Sequence, residues 1–230
     1  MKKLSLILPC YQEAENIKIL IPRTIKVLDE LKVEFEIILV DTTEPTDNLK
    51  DIAAGFKNTL YVSRFPTNHY GNAVRTGIGI STGDYIMFMD ADTSSSPEFI
   101  PQMVALADEA DVVIASRYVK GGENGTKAIE RILSLTLNLI YRVIFNTKCK
   151  DISHSFKLYK GDMLRSIKMI SLNFDIIQEI IVKLSRKYKD MKIIEIPYQF
   201  GPRLFGQTKR KYIQFIISYL ATILKLLKER

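Results

Sequence analysis

The feature that most constrains this chain is a strict alternation between short apolar runs and helical patterns. Residues 4–8, 36–40, 60–63, 84–89 and 112–116 read as buried strands, each too short to form a stable helix. Between the first two, residues 13–31 carry Ile17, Leu20, Ile21, Ile25 and Leu28 at helical spacing. Residues 49–56, 71–80 and 97–110 supply the next helical patterns. Parallel strands need a long crossover, and a helix provides it. The order therefore predicts an open, mostly parallel α/β sheet with helices on both faces. Ligands of such sheets bind beyond the carboxyl ends of the strands. Asp41, Asp90 and Arg117 all fall at or just past predicted strand ends.

The second half reads differently. Residues 129–145 and 212–228 are helices apolar over most of their circumference. The first has a polar stripe of Glu130, Ser134, Asn138, Arg142 and Asn146; the second has Gln214, Ser218, Thr222, Lys225 and Lys228. Such a helix is either buried against its own protein or lies in a lipid interface. Charge bears on the choice. The chain carries a net +7, and residues 203–230 hold seven basic groups against Glu229 alone. A nucleic-acid binder spreads its basic residues over a reading face. Cations flanking an apolar helix suit an anionic membrane surface or a phosphorylated ligand instead. No nucleic-acid partner is expected. The apolar stretch within 212–228 is too short to span a bilayer. Residues 4–8 are too short for a signal-peptide core and are followed at once by Glu13 and Glu15.

Two cysteines, Cys10 and Cys149, exclude a disulfide scaffold and fit a reducing compartment. No Cys or His pair has zinc-ligand spacing. There is no P-loop, and Gly77-Ile78-Gly79 lacks the third glycine of a dinucleotide fingerprint and sits inside a predicted helix. The strongest chemical motif is Asp90-Ala91-Asp92, which follows a buried strand. Two carboxylates one residue apart can share a divalent cation and the phosphate oxygens bound to it. Hard oxygen donors suit Mg²⁺ or Mn²⁺. Acidic pairs also fill turns and cap helices, and Ser96 before Pro97 reads as a cap. Arg117, Arg131, Arg203 and Lys209 are the cations to place around phosphate, because Arg forks match its oxygens and Lys acts as a point charge. Residues 203–209 become a flap hinged at Gly206 only in light of the family resemblance that follows.

Several segments together resemble one family. The run from Leu6 through Pro9, Tyr11 and Glu13 to Asn16, the strand Glu36 to Asp41, and Asp90-Ala91-Asp92 resemble its opening strand, second strand and metal motif. Ser116-Arg117-Tyr118, Asp151-Ile152-Ser153-His154-Ser155-Phe156-Lys157-Leu158-Tyr159, Glu179-Ile180-Ile181, Glu195-Ile196-Pro197 and Arg203 to Lys209 follow in register. The chain is thereby similar to family 2 glycosyltransferases of GT-A fold, and within them to dolichyl-phosphate mannose synthases. The resemblance implies inverting transfer of a sugar, mannose from GDP-mannose, to a polyprenyl (dolichyl) phosphate. It implies Mg²⁺ or Mn²⁺ on Asp90, Asp92 and Ser94. It implies a donor site of Pro9, Tyr11, Glu13, Leu39, Asp41, Asp90, Ala91 and Asp92. Arg117, Arg131, Arg203 and Lys209 would handle donor diphosphate and acceptor phosphate.

It also implies a catalytic domain over 1–211, a membrane-associated helix over 212–230, and a location on the cytoplasmic face of a membrane. The departures are specific. Asp41-Thr42-Thr43-Glu44-Pro45-Thr46 stands where the family carries a more acidic segment, Ser94 where a Gln can ligate metal, and His154 where the family has Gly. They leave open another donor, such as UDP-glucose, or a non-catalytic nucleotide-sugar-binding protein at a membrane.

Overall fold

In the computed structural model, which describes residues 2–126, 128–201 and 212–229, all five apolar runs form strands. The chain runs β1 (Lys3–Pro9), α1 (Ala14–Leu31), β2 (Glu34–Asp41), α2 (Leu49–Ala54), β3 (Thr59–Ser63), α3 (Tyr70–Ile80) and β4 (Tyr85–Phe88). It continues through α4 (Ile100–Val104), β5 (Val112–Ser116), β6 (Glu123–Asn124), α5 (Ala128–Phe145), β7 (Lys157–Lys160) and α6 (Gly161–Arg165). It closes with α7 (Ile176–Lys187), β8 (Ile193–Pro197), β9 (Gln199–Phe200) and α8 (Tyr212–Lys228).

The main sheet has the order β3-β2-β1-β4-β7-β5-β8, and only β7 runs antiparallel to its neighbours. Alternate strand residues face opposite sides. Leu6, Leu8, Ile37, Leu39 and Met87 pack with α1, α2 and α4. Ile7, Ile38, Val40, Ile86 and Phe88 pack with α3, α5, α7 and α8. Helices thus cover both faces, as the alternation predicts.

Two elements differ from the sequence reading. The helix expected over 97–110 shortens to a 3₁₀ turn, Pro97–Phe99, and the five residues of α4. Beyond Val104 the amides of Leu106 and Ala107 reach back three residues rather than four, which tightens the chain into turns. The central strand β7 has a lysine at each end, which hides it from an apolar-run search. Lys157 is nevertheless fully buried, its Nζ donating to the carbonyls of Ile152 and His154.

The helices α5 and α8 turn their polar stripes inward at mid-length. Asn138 and Thr222 are buried, and Ser134 and Ser218 make hydrogen bonds to the body of the protein. The outward face of α5 presents Ile129, Ile132, Leu135, Leu139 and Val143, the last 73% exposed. That of α8 presents Ile217, Leu220 and Leu224. No helix among the described residues is long and apolar enough to cross a membrane. Both cysteines are buried and free.

The start of α3 lies against the segment before α7. The Gly71 amide donates to Leu172 O at 2.7 Å. A Cβ at Gly71 would run into the Ser171 carbonyl and the Leu172 backbone. Gly71→Ala is therefore expected to destabilise the fold by about 2–3 kcal/mol, since neither backbone can yield cheaply. Urea unfolding checks this; an unchanged midpoint would contradict it.

Candidate active site

The carboxyl ends of β1 to β4 open on one side of the sheet, and their loops converge there. Gln12 takes a left-handed turn (φ 57°) after β1, and its Nε2 donates to Thr46 Oγ1 at 3.1 Å. Asp47 receives the Ala14 amide at the start of α1 at 3.0 Å. The loops after β1 and β2 are thus tied to each other.

Arg64, just past β3, ties them to the next. It is 5% exposed. Its Nη2 donates to Cys10 O, its Nε to Asp41 O at 3.0 Å, and its Nη1 to Asn68 O at 3.3 Å. Burial lowers its pKa, yet an Arg remains charged. Asp41 lies beside it, buried, its carboxylate accepting from Thr42 N at 2.8 Å and Tyr61 Oη at 3.0 Å. Burial raises the Asp41 pKa against those hydrogen bonds.

After β4 the chain turns sharply at Asp90-Ala91-Asp92. Thr93 sits in the left-handed region at φ 63°, where a β-branched residue is strained. Asp92 Oδ1 accepts from the Ser94 amide at 3.1 Å and from Ser94 Oγ. This is an Asx turn with a second donor on the same oxygen. Ser94 therefore acts on the Asp92 carboxylate. Tyr198 buttresses the turn from behind: its Oη accepts from Ser96 N at 2.7 Å, and its ring packs edge-on against Phe99.

These loops enclose a cavity of about 560 Å³. Pro9, Tyr11, Glu13, Asp90, Ala91 and Asp92 line it together, as the sequence predicts for a shared site. Thr42 and Glu44 join from the loop after β2. Arg64 and His69 come from the β3–α3 connection, Tyr70 from the first position of α3, and Asn173 and Phe174 from before α7. Sequence reading missed these five, although Arg64 obeys the strand-end rule that selects Asp41 and Asp90. Two carboxylates on one wall are hard oxygen donors that fit Mg²⁺ or Mn²⁺. Among the described residues no cluster of three acidic, His or Cys side chains forms. The remaining coordination positions would fall to phosphate oxygens and water.

Other expected site residues lie elsewhere. Leu39 is fully buried in the core between the sheet and α1. Asp41 supports the cavity floor through its backbone and neighbours. Arg131 is exposed on α5. Arg203 and Lys209 fall outside the described residues. Arg117 forms a bidentate pair with Asp151, Nε to Oδ2 and Nη2 to Oδ1, both at 2.8 Å. Nη2 also reaches Ser153 Oγ at 2.9 Å and Ser134 Oγ at 3.3 Å, tying down α5. Burial opposes both charges, but each partner outweighs it: Arg117 is held above its ordinary pKa and Asp151 well below its own. Removing one partner of a buried pair costs about 3–5 kcal/mol. Loss of activity in Arg117→Ala would therefore report on folding as well as chemistry. Glu179 is likewise spent on structure, accepting from the amides of Ile170 and Ser171 at 2.9 and 2.8 Å.

A seven-stranded, mostly parallel sheet with an Asp-x-Asp turn at its carboxyl edge is the GT-A arrangement of glycosyltransferases. The chain belongs to glycosyl transferase family 2, whose sequence model matches residues 5–168. It is 30% identical to the dolichol-phosphate mannosyltransferase of Pyrococcus furiosus, over 98% of this chain and 64% of that protein. The chain thus spans less than two thirds of that relative's length. Among solved structures, it superposes on glucosyl-3-phosphoglycerate synthase from Mycobacterium tuberculosis in complex with phosphoglyceric acid. The TM-score is 0.76 at 17% identity, covering 98% of this chain and 80% of that one. The same enzyme with Mn²⁺, uridine diphosphate and phosphoglyceric acid gives a TM-score of 0.73 at 18% identity, covering 98% and 78%. At these identities the likeness concerns the fold.

His154 does not narrow the cavity. It is buried, stacks on Tyr198 at 5.6 Å, and its Nδ1 donates to Ala115 O at 2.6 Å. Burial, then the Arg117 charge, pushes its pKa down to about 3. An unfolded His binds a proton near pH 6.5, so the unfolded state gains protons first on acidification. Stability conferred by the neutral ring is present above pH 6.5 and is lost progressively between pH 6.5 and 3. Going from pH 7 to 4.5, His154→Asn should lose about 2–3 kcal/mol less stability than the wild type. Denaturant titrations at both pH values measure the difference; identical losses would contradict the buried neutral ring.

Proposed function

We propose that this chain performs inverting, divalent-metal-dependent transfer of mannose from GDP-mannose to a polyprenyl (dolichyl) phosphate. The observation that carries the reading is one cavity at the strand ends that holds Asp90 and Asp92 beside Pro9, Tyr11 and Glu13. Similarity to a dolichol-phosphate mannosyltransferase over 98% of the chain supports this sugar and acceptor class.

In this reading Tyr11, 47% exposed, and Pro9 cover the nucleobase at the cavity rim. Glu13, held by Asn16 Nδ2 at 2.6 Å, faces the nucleoside. Asp90 and Asp92 hold Mg²⁺ or Mn²⁺, which when bound offsets the charge that develops on the leaving diphosphate. Ser94 orients Asp92 for that task. The acceptor phosphate is already an anion, so alignment matters more than a strong general base. Arg131, Arg203 and Lys209 are assigned to the phosphates, and Arg117 to fixing Asp151 and α5 beneath them. The outward apolar faces of α5 and α8, with Arg131, Arg142, Lys225 and Lys228 beside them, seat the protein on an anionic membrane surface where a polyprenyl tail resides.

UDP-glucose is the second donor to test, because Thr42 lines the cavity where the family carries an acidic residue, so the family's usual donor does not follow from that segment. Both donors belong in one assay. Labelled sugar is offered from GDP-mannose and from UDP-glucose to dolichyl phosphate with Mn²⁺. Transfer from GDP-mannose, abolished by EDTA and reduced at least about 100-fold by Asp92→Ala, is expected. Transfer from UDP-glucose alone would replace the donor, and metal-independent transfer would overturn the Asp90–Asp92 assignment. Liposome flotation tests the surface. Anionic vesicles should carry the wild type, whereas Val143→Gln with Ile217→Gln should weaken binding about 10-fold or more. Equal flotation of both would rule out these faces.

A further inference from the structure

Two inward-turned hydroxyls of α8, those of Ser218 and Thr222, meet one carboxylate. Ser218 Oγ donates to Asp175 Oδ1 at 2.6 Å, and Thr222 Oγ1 donates to Asp175 Oδ2 at 2.5 Å. Asp175 is 1% exposed and Thr222 is 3% exposed. Asp175 stands in the N-cap position of α7, where a carboxylate ordinarily accepts from its own helix. Here it makes no cap hydrogen bond. Its charge is directed across to another helix instead.

The next link leads inward. Asn173 Nδ2 donates to the same Ser218 Oγ at 3.1 Å. Asn173 and Phe174 line the cavity that holds Asp90 and Asp92. The Phe174 ring stacks on Tyr70, another cavity residue, with centroids 4.1 Å apart and planes at 23°. The preceding residues are pinned from the opposite side. Glu179 receives the Ile170 and Ser171 amides, and Arg75 Nη1 donates to Ser171 O at 2.6 Å. The backbone of residues 170–171 is thus fixed from within the domain, with Ser171 Oγ also 3.4 Å from Thr222 Oγ1, whereas the side chains of Asn173 and Asp175 are held by α8.

We propose that Asp175, Ser218 and Thr222 form a positioning latch through which α8 holds the Asn173–Phe174 wall of the nucleotide cavity. The helix then completes the donor site from behind while its other face remains apolar and outward. The proposal rests on reading the cavity as a nucleotide site. Apolar packing of Tyr219, Ile223 and Leu226 fastens α8 to the core but sets no fine register, because such contacts are non-directional. Two charge-assisted hydrogen bonds to opposite oxygens of one carboxylate do set it.

The test uses the full chain with Mn²⁺ and titrates GDP and UDP separately by calorimetry. Ser218→Ala with Thr222→Val removes both hydroxyls at nearly constant volume. Ser218→Thr and Thr222→Ser, made singly, keep a hydroxyl at each position. Ile217→Gln with Leu224→Gln alters only the outward face. The hydroxyl-free variant should bind its nucleotide at least about five-fold more weakly, about 1 kcal/mol. The hydroxyl-retaining variants should stay within about two-fold of wild type, as should the outward-face variant. If the double substitution does not fold, Ser218→Ala alone carries the comparison. Wild-type affinity in a folded hydroxyl-free variant would overturn the latch. So would equal weakening in hydroxyl-free and hydroxyl-retaining variants, which would mark a purely structural role. A wild type that binds neither nucleotide would remove the cavity reading itself, and the latch with it.

Discussion

The candidate site depends on one buried cation. Arg64 lies beneath the carboxyl edge of the sheet and donates to the backbone carbonyls of Cys10, Asp41 and Asn68. Those carbonyls belong to the residue after β1, the last residue of β2 and the entry to α3. A guanidinium is suited to this because its fork reaches several acceptors at once and its charge persists under burial. Carbonyl dipoles replace the water it has lost, and Asp41 stands beside it. Without such a tie, loops at strand ends would be the most mobile part of an α/β fold. With it, Pro9, Tyr11 and Thr42 line one cavity with Asp90 and Asp92.

The same logic of inward polarity explains the second half of the chain. A helix that is mostly apolar would ordinarily bury its apolar side. In α5 and α8 the polar residues are the ones required inside, because Arg117, Asp151 and Asp175 need partners. Ser134 meets Arg117, Asn138 receives the Ser153 amide at 3.1 Å, and Ser218 and Thr222 meet Asp175. Tyr141, Tyr219, Ile223 and Leu226 share the inward side, and the remaining apolar residues, Ile132, Leu139, Val143, Ile217 and Leu224 among them, are left outside. Neighbouring exposed apolar side chains of this kind on a folded domain mark an interaction site. The fold therefore links its internal hydrogen bonding to its outward chemistry: satisfying buried charges produces the face assigned to a membrane.

Much of this was legible in the sequence, and the failures have physical causes. The strands β1 to β5 and the helices between them follow from short apolar runs, continuous in β4 and β5, where every residue is buried. The Asp90-Ala91-Asp92 turn was visible because it combines a buried strand with a rigid ligand pattern. Strand β7 was hidden because Lys157 satisfies its ammonium with the carbonyls of Ile152 and His154, which only the tertiary fold supplies. Phe174 was missed because it lies in a loop whose path no local pattern fixes, and Tyr70 because it opens α3 instead of ending a strand; Arg64 does follow the strand-end rule and was passed over. Arg117 is a further lesson. Its strand-end position suggested phosphate binding; in the fold its Nε and Nη2 also pair with Asp151, 34 residues later, a partner no local pattern announces.

The most direct test of the account is a crystal structure of the chain grown with GDP and Mn²⁺. The account predicts the metal between the Asp90 and Asp92 carboxylates, the diphosphate on that metal, and the base between Tyr11 and the loop after β2. A nucleotide bound elsewhere on the sheet, or a metal that avoids both carboxylates, would contradict it.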